Sequence, residues 1–439
     1  MKRFLKFTLP SVLSMWAFAL YTIFNGYLVA NYVGETEFSA INISMPVMAT
    51  FFAVSMLFSI GTQAKVGFNL GSGDYAKANE ILSSGFFGLV ICGFIYVLLL
   101  SLFLTSVVAL LGPSEIAAPY VADYLRILVP FGVFFMTTYQ LEVLIRVDGF
   151  PHLSALSVFL TAFINVALGF LFVARLGMGV FGAGFASGIA QIASTVFLLT
   201  HFARKRGRLR LLRHMDFREL KSVLPLGVGD AITELSAGYT IFLFNRTLLD
   251  TMGQDGVVFY TAISNIAIFV QATMGGVAQG LSPLFSYDFG GGKLKSVRNS
   301  FLGGMFSIVL TGAVFAVAAN VCSGPLIGLF LESGSDTYIA AQGAFAKYST
   351  AFAFLGMNVL IITFFASMGK GLPAISVSLL RTPVCISIVM FIYRQFIGGE
   401  FIWYVLTVSE VLTLCVAAAM LYKYILIPLR ARKITGEEL

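Results

Sequence analysis

Two acids one helical turn apart, Asp230 and Glu234, stand inside an apolar stretch with Gly227, Gly238 and Asn245 on nearly the same stripe. An ionisable side chain at that depth in hydrocarbon costs about 2.5–3.5 kcal/mol, so it needs a partner, a wet cavity or a task. Neighbouring carboxylates titrate as one unit, and such a unit can hold a proton or a cation but hardly both. That competition is the physical requirement for exchange transport, with H+ or Na+ as the coupling ion. The bland alternative is neutralisation by Arg381 or Arg246. Glu410, mid-span in the last apolar segment, is a third coupling candidate, with Arg381 or Arg394 available as its structural clamp. Arg146 and Asp148, with Glu142, crowd one end of an earlier segment and read as a gating or anchoring cluster.

Neutral polar groups within the apolar segments must find hydrogen bonds inside a bundle. Tyr21, Asn25, Gln63, Gln140, Asn165, Gln271 and Asn358 are the candidates for lining a substrate cavity, although glue between helices is the commoner use of such residues. The 44 Phe and 15 Met residues suit a cavity for varied flat, lipophilic molecules, because Met adapts its shape and aromatic faces attract cations. Most of them serve packing and lipid contact.

Other chemistries find little support. Cys92, Cys322, Cys385 and Cys415 lie in apolar segments without CxxC spacing, and His152, His201 and His214 lie far apart. No metal centre or nucleophile and base pair is expected, nor any cofactor. Gly71-Ser72-Gly73 and Gly290-Gly291-Gly292 lack the spacing of a nucleotide loop and read as turns.

The elements that must position these residues are membrane helices. The chain has 439 residues, 58% hydrophobic and 11% charged, with a mean hydropathy of +0.90. Soluble domains carry about 25% charged residues. Twelve apolar segments recur from end to end, each long enough to cross a core of about 30 Å. The longest charged run, residues 204–221, divides six segments from six. Placing that run in the cytoplasm puts both termini there too, and 22 of the 28 Lys and Arg residues then fall on the cytoplasmic side. The net charge of +7 therefore reads as membrane orientation and not as a nucleic-acid footprint.

The halves repeat. Gly34, Gly61 and the run Asn69–Gly73 match Gly253, Gly280 and Asp288–Gly292 at one offset of 219, and Gly149-Phe150-Pro151 matches Gly371-Leu372-Pro373 at 222. Six segments per half insert both halves the same way up, with the substrate expected between them. The expected organisation is all-α and membrane-integral. A six-helix lobe spans residues 1–203, a basic connecting loop 204–221, a second lobe 222–428 and a cytoplasmic tail 429–439.

Four stretches give this pattern a family. LYTIFNGYLVANYVG (Leu20–Gly34), RVDGFPHLSA (Arg146–Ala155), INVALGFLFV with GMGVFGAGFASGIAQ (between Ile164 and Gln191) and GGVAQGLSPLFSYDFGGGK (Gly275–Lys293) resemble the multidrug and toxic compound extrusion (MATE) family, in its MepA-like bacterial branch. The resemblance covers nearly the whole chain. It implies two lobes forming a V within the MOP flippase superfamily, and export of cationic or lipophilic small molecules driven by H+ or Na+. It implies a multi-pass protein of the plasma (inner) membrane, in contact with lipid, binding no nucleic acid and acting as a monomer. Many relatives carry aspartates at the positions of Asn25 and Gly169, so the resemblance also leaves the coupling acids to the second lobe, at Glu234, with Asn358 nearest the place of another family acid. The rival readings are a flippase for lipid-linked substrates, which needs paired arginines in the groove and has only Arg381, Arg126 and Arg246 to offer, and an intramembrane lipid enzyme.

Overall fold

The computed structural model describes residues 2–212, 215–328, 331 and 334–426; the expected tail at 429–439 lies outside the described residues, as do Arg213 and His214 of the connecting loop. Among the described residues every regular element is helical. The spans are α1 (Lys2–Tyr32), α2 (Glu35–Ser72), α3 (Tyr75–Leu102), α4 (Ala118–Val147), α5 (Pro151–Arg175), α6 (Gly179–Ala203), α7 (220–252), α8 (254–290), α9 (Leu294–Val321), α10 (Thr337–Ser367), α11 (Gly371–Ile397) and α12 (Gly399–Ile425).

The expected loop between α7 and α8 shrinks to a single residue. Backbone hydrogen bonding continues from Leu220 to Gly290 apart from Gly253, whose φ of 69° and ψ of −156° lie outside the helical range. A straight helix of 71 residues would be roughly 105 Å long, more than three hydrocarbon cores, so the chain must double back there. Gly34, the repeat partner of Gly253, turns the chain between α1 and α2 with φ 149°. A residue with a Cβ is strained in either conformation.

Irregularities recur with the repeat. The third apolar segment ends at Phe103, before a short surface helix Leu104–Leu111, and α9 ends at Cys322, 219 residues later, before Ser323–Ile327. Phe103 has φ −102° and ψ 20°; Cys322 has −110° and 20°. In each half one crossing is therefore followed by a short separate helix, because the chain breaks at the same backbone turn. Both α4 and α10 contain a 3₁₀ turn, at Val129–Phe131 and Ser349–Ala351.

The apolar core follows the halves. One cluster joins α7 to α12, including Phe285, Phe345, Phe352 and Tyr393, and three smaller clusters fill the first lobe. The lobes meet where α2 and α8 cross. Residue i of α2 faces residue i+219 of α8: Gln63 Nε2 donates to Ser282 Oγ at 2.5 Å and Gly67 packs on Ser286. Beside them the Phe68 and Phe289 rings lie 5.8 Å apart. A Cβ on Gly71 would stand 2.0 Å from the Tyr287 carbonyl oxygen, and one on Gly290 would stand 1.9 Å from that of Phe68. Two more repeat-related contacts flank this seam, Gly61 against Val223 of α7 and Gly280 against Phe7 and Thr8 of α1. All of these sit toward the end that carries the connecting loop, which is tied down by Asp148: its carboxylate receives the backbone N–H groups of Arg208 (2.8 Å) and Leu209 (3.2 Å) and meets His201 Nε2 at 2.8 Å.

Backbone contact leaves no room for a methyl at the seam. Gly71→Ala is expected to cost about 1–3 kcal/mol by overpacking, whereas Gly343→Ala in α10, where a Cβ would meet nothing within 4 Å, should be neutral or mildly stabilising. Thermal unfolding of the two variants in detergent separates these outcomes.

Candidate functional site

Beyond the seam, toward mid-span, a cavity of about 650 Å³ is walled by both lobes. Phe18 and Tyr21 of α1, Phe52 of α2, and Thr138, Tyr139 and Glu142 of α4 form the first-lobe wall, with Thr161 and Gln191 from α5 and α6. Asp230, Thr233 and Glu234 of α7 face it from the second lobe, with Asn265, Gln271 and Gln279 of α8, Arg381 of α11 and Glu410 of α12. Its aromatic and Met content gives an adaptable apolar surface, and its charged residues are four carboxylates and one arginine.

Four carboxylates line the cavity, and their partners differ. Glu410 is 3% exposed and held from three sides: Arg381 Nε reaches its two oxygens at 2.9 and 3.1 Å, and Asn358 Nδ2 donates to Oε2 at 2.7 Å and to the Glu410 carbonyl at 2.8 Å. Arg381 sits in a widened π turn over Leu380–Ile386 that contains Pro383, which swings its side chain out of the regular helical register. The structure thus gives Glu410 the clamp that the sequence offered as its alternative, and makes Asn358 part of that clamp.

Asp230, Glu234 and Glu142 have no basic partner within ion-pair distance among the described residues. Arg381 is committed to Glu410, while Arg246 lies 3.7 Å from Asp250, which Arg394 also approaches at 2.8 Å. Neither arginine offered by the sequence neutralises the α7 pair. Among the described residues, Asp230 Oδ2 is buried without a hydrogen-bond partner. Glu142 Oε1 accepts from Ser157 Oγ at 3.0 Å. Its neighbour Arg146 looks like an i,i+4 partner in sequence, but Arg146 Nη1 turns across to donate to Gln279 Oε1 on α8 at 3.1 Å. Glu142 is therefore left facing the cavity, and sequence reasoning, which grouped it with the anchor, did not place it there.

The other sequence candidates divide. Tyr21 and Gln271 line the cavity, whereas Asn25, Gln63, Gln140, Asn165 and Asn358 are not in its wall. Gln63 joins the lobes at the seam, Gln140 Nε2 donates to the Gly85 carbonyl at 3.0 Å, and Asn165 Nδ2 donates to Ser187 Oγ at 2.9 Å. Arg146 bridges the lobes and Asp148 anchors the connecting loop. Asn25 and Gly169 do face one another: a Cβ at 169 would lie 3.8 Å from Asn25 Oδ1 and 3.5 Å from Leu28 Cδ1, ordinary contact distances that leave room for a side chain.

Comparison with known proteins follows the same lines. Residues 10–171 match the MatE family model. The multidrug export protein MepA of Staphylococcus aureus (strain NCTC 8325 / PS 47) is 24% identical over 97% of this chain and 94% of its own length. MepA of Staphylococcus saprophyticus is 25% identical over the same shares. Among solved structures, a MATE protein in complex with MaD3S superposes with a TM-score of 0.90 at 17% identity, covering 98% of this chain and 96% of that one. A MOP superfamily transporter from Pyrococcus furiosus, described as having a binding pocket of reverse polarity that suggests a different function, gives 0.89 at 17% over 95% and 94%. These structures share the fold.

Removing one member of the clamp leaves a buried charge unanswered. Arg381→Met is expected to destabilise the protein by about 3–5 kcal/mol, and Arg381→Met combined with Glu410→Gln should recover much of that loss. Midpoints of thermal unfolding for the single and double variants measure the coupling.

Proposed function

We propose that this chain, a member of the MATE family by its MatE domain and its full-length MepA homologues, is a secondary-active exporter of cationic or lipophilic small molecules that takes in H+ or Na+ in exchange. One observation carries this reading: Glu142, Asp230 and Glu234 line one cavity between the lobes and have no ion-pair partner among the described residues. Carboxylates in that setting bind a cation or a proton, and the two compete.

The roles divide by partner. Asp230 and Glu234 are the exchange site on α7, and Glu142 supplies a carboxylate from the first lobe, where Asn25 and Gly169 offer none. Glu410 stays paired with Arg381 and fixes the opposite wall. The aromatic surface of Phe18, Tyr21, Phe52 and Tyr139 receives the apolar part of a substrate, and the ring faces add attraction for a positive charge.

Transport works by rocking the lobes about the α2 and α8 seam. With the basic end in the cytoplasm of a plasma (inner) membrane, lobes in contact at that end correspond to a cavity addressed to the outside. Protonation or ion binding at the α7 pair releases the cationic cargo there, and the return movement resets the site.

A flippase for anionic lipid-linked substrates fits this cavity less well. Its one lining arginine is clamped by Glu410, and Arg126 and Arg246 sit beside Asp123 and Asp250 instead. Pyrophosphate recognition needs free paired cations.

Proteoliposomes loaded with a fluorescent lipophilic cation, under separately imposed H+ and Na+ gradients, test the reading. Gradient-driven transport is expected in the parent, abolished in Glu234→Gln and reduced in Glu142→Gln. Normal transport by Glu234→Gln would overturn the mechanism.

A further inference from the structure

A second cavity, of about 820 Å³, lies at the connecting-loop end and is walled by both lobes. Its character is opposite to that of the first. Lys2, Arg3 and Lys6 of α1, Arg206 and Arg208 of the connecting loop, and Lys293 following α8 converge on it. Among the described residues Asp148 is its one lining carboxylate, closed to solvent and bonded to His201 and to the N–H groups of Arg208 and Leu209. Arg3 is answered by Asp288 at 2.6 Å, and Arg208 lies against Tyr75, with Nη1 3.4 Å from the hydroxyl. Lys2, Lys6, Arg206 and Lys293 have no carboxylate within 4.0 Å among the described residues.

The loop is fixed in this position, since a Cβ at Gly207 would stand 1.5 Å from Asp148 Oδ2. Four exposed cations without a carboxylate partner among the described residues gather around one concavity and give it a positive potential that attracts an anion. Below this rim the lining turns apolar, with Phe7, Leu70, Phe150 and Leu284. A basic rim over an apolar floor, at the ends of membrane helices, matches an amphiphilic anion better than a soluble one.

We propose that this cavity binds the headgroup of an anionic phospholipid, whose phosphate bridges α1 and Lys293 to the connecting loop and holds the lobes together at this end. The ligand reinforces the α2 and α8 seam by joining one lobe to the other through charge. It is distinct from the transported substrate, which the acidic cavity selects by opposite polarity.

The test is thermal unfolding of the full-length protein in detergent, titrated with phosphatidylglycerol, phosphatidylcholine or inorganic phosphate. Phosphatidylglycerol is expected to raise the midpoint and the other two to leave it in place. The combined variant Lys6→Gln, Arg206→Gln, Lys293→Gln should bind phosphatidylglycerol on the order of 100-fold more weakly, taking about one kcal/mol per surface charge. Arg126→Gln, at the opposite end, should bind it like the parent. An equal shift with phosphatidylcholine, or an unaltered affinity in the combined variant, overturns the proposal; a full shift with inorganic phosphate alone overturns the lipid assignment. Native mass spectrometry of the parent gives a reading independent of the variant's folding: preferential retention of phosphatidylglycerol is expected, and equal retention of both lipids contradicts the site.

Discussion

A charge placed in hydrocarbon must be answered, and that constraint orders this structure from inside to outside. Glu410 is answered within the protein, by a guanidinium and an amide. The carboxylates of Glu142, Asp230 and Glu234 line the cavity and make no ion pair among the described residues. The contrast separates a wall from a binding group using the same residue type. It also explains why one arginine in the cavity does not make the site basic: its charge is already spent on Glu410.

The two lobes meet through α1 and α2 of the first and α7 and α8 of the second. Gly67, Gly71 and Gly290 let the backbones of α2 and α8 approach closely at one end, which small residues permit and larger ones forbid. The pseudo-twofold relation brings Gln63 against Ser282 across its axis and makes off-axis contacts twice, Gly71 on Tyr287 and Gly290 on Phe68, so the seam is nearly symmetric. Helices that meet at one end diverge at the other, and the acid cavity lies in the space so formed. Opposite electrostatics on the two sides of the seam follow from the same geometry, with acids gathered at mid-span and cations at the membrane boundary.

Symmetry is broken where chemistry is needed. The turns at Gly34 and Gly253 and the helix breaks at Phe103 and Cys322 repeat between halves. The α7 acids do not repeat: at the 219-residue offset Asp230 and Glu234 answer to Ser11 and Met15 of α1, neither of them a carboxylate. The family resemblance places acids in the first lobe at Asn25 and Gly169; here that lobe contributes Glu142 from α4 instead, on a neighbouring wall of the same cleft.

Composition, loop charge and the 219-residue repeat determined the membrane class, the twelve crossings and their division into two equivalent halves, because hydrophobic length and Lys and Arg bias are properties of the chain read locally. The α7 pair was legible too, since two carboxylates in an apolar segment stand out whatever the packing. Which polar groups face the cavity was decided only by tertiary structure. Gln63, Gln140 and Asn165 look the same in sequence as Gln271, yet three are spent on hydrogen bonds between helices and one lines the cleft. Glu142 reads in sequence as part of a gating or anchoring cluster with Arg146 and Asp148, yet it lines the cavity while the Arg146 guanidinium crosses to Gln279. Spacing along a helix states which side chains share a face; only the packing of helices from the other lobe decides whether that face meets protein, lipid or a cavity.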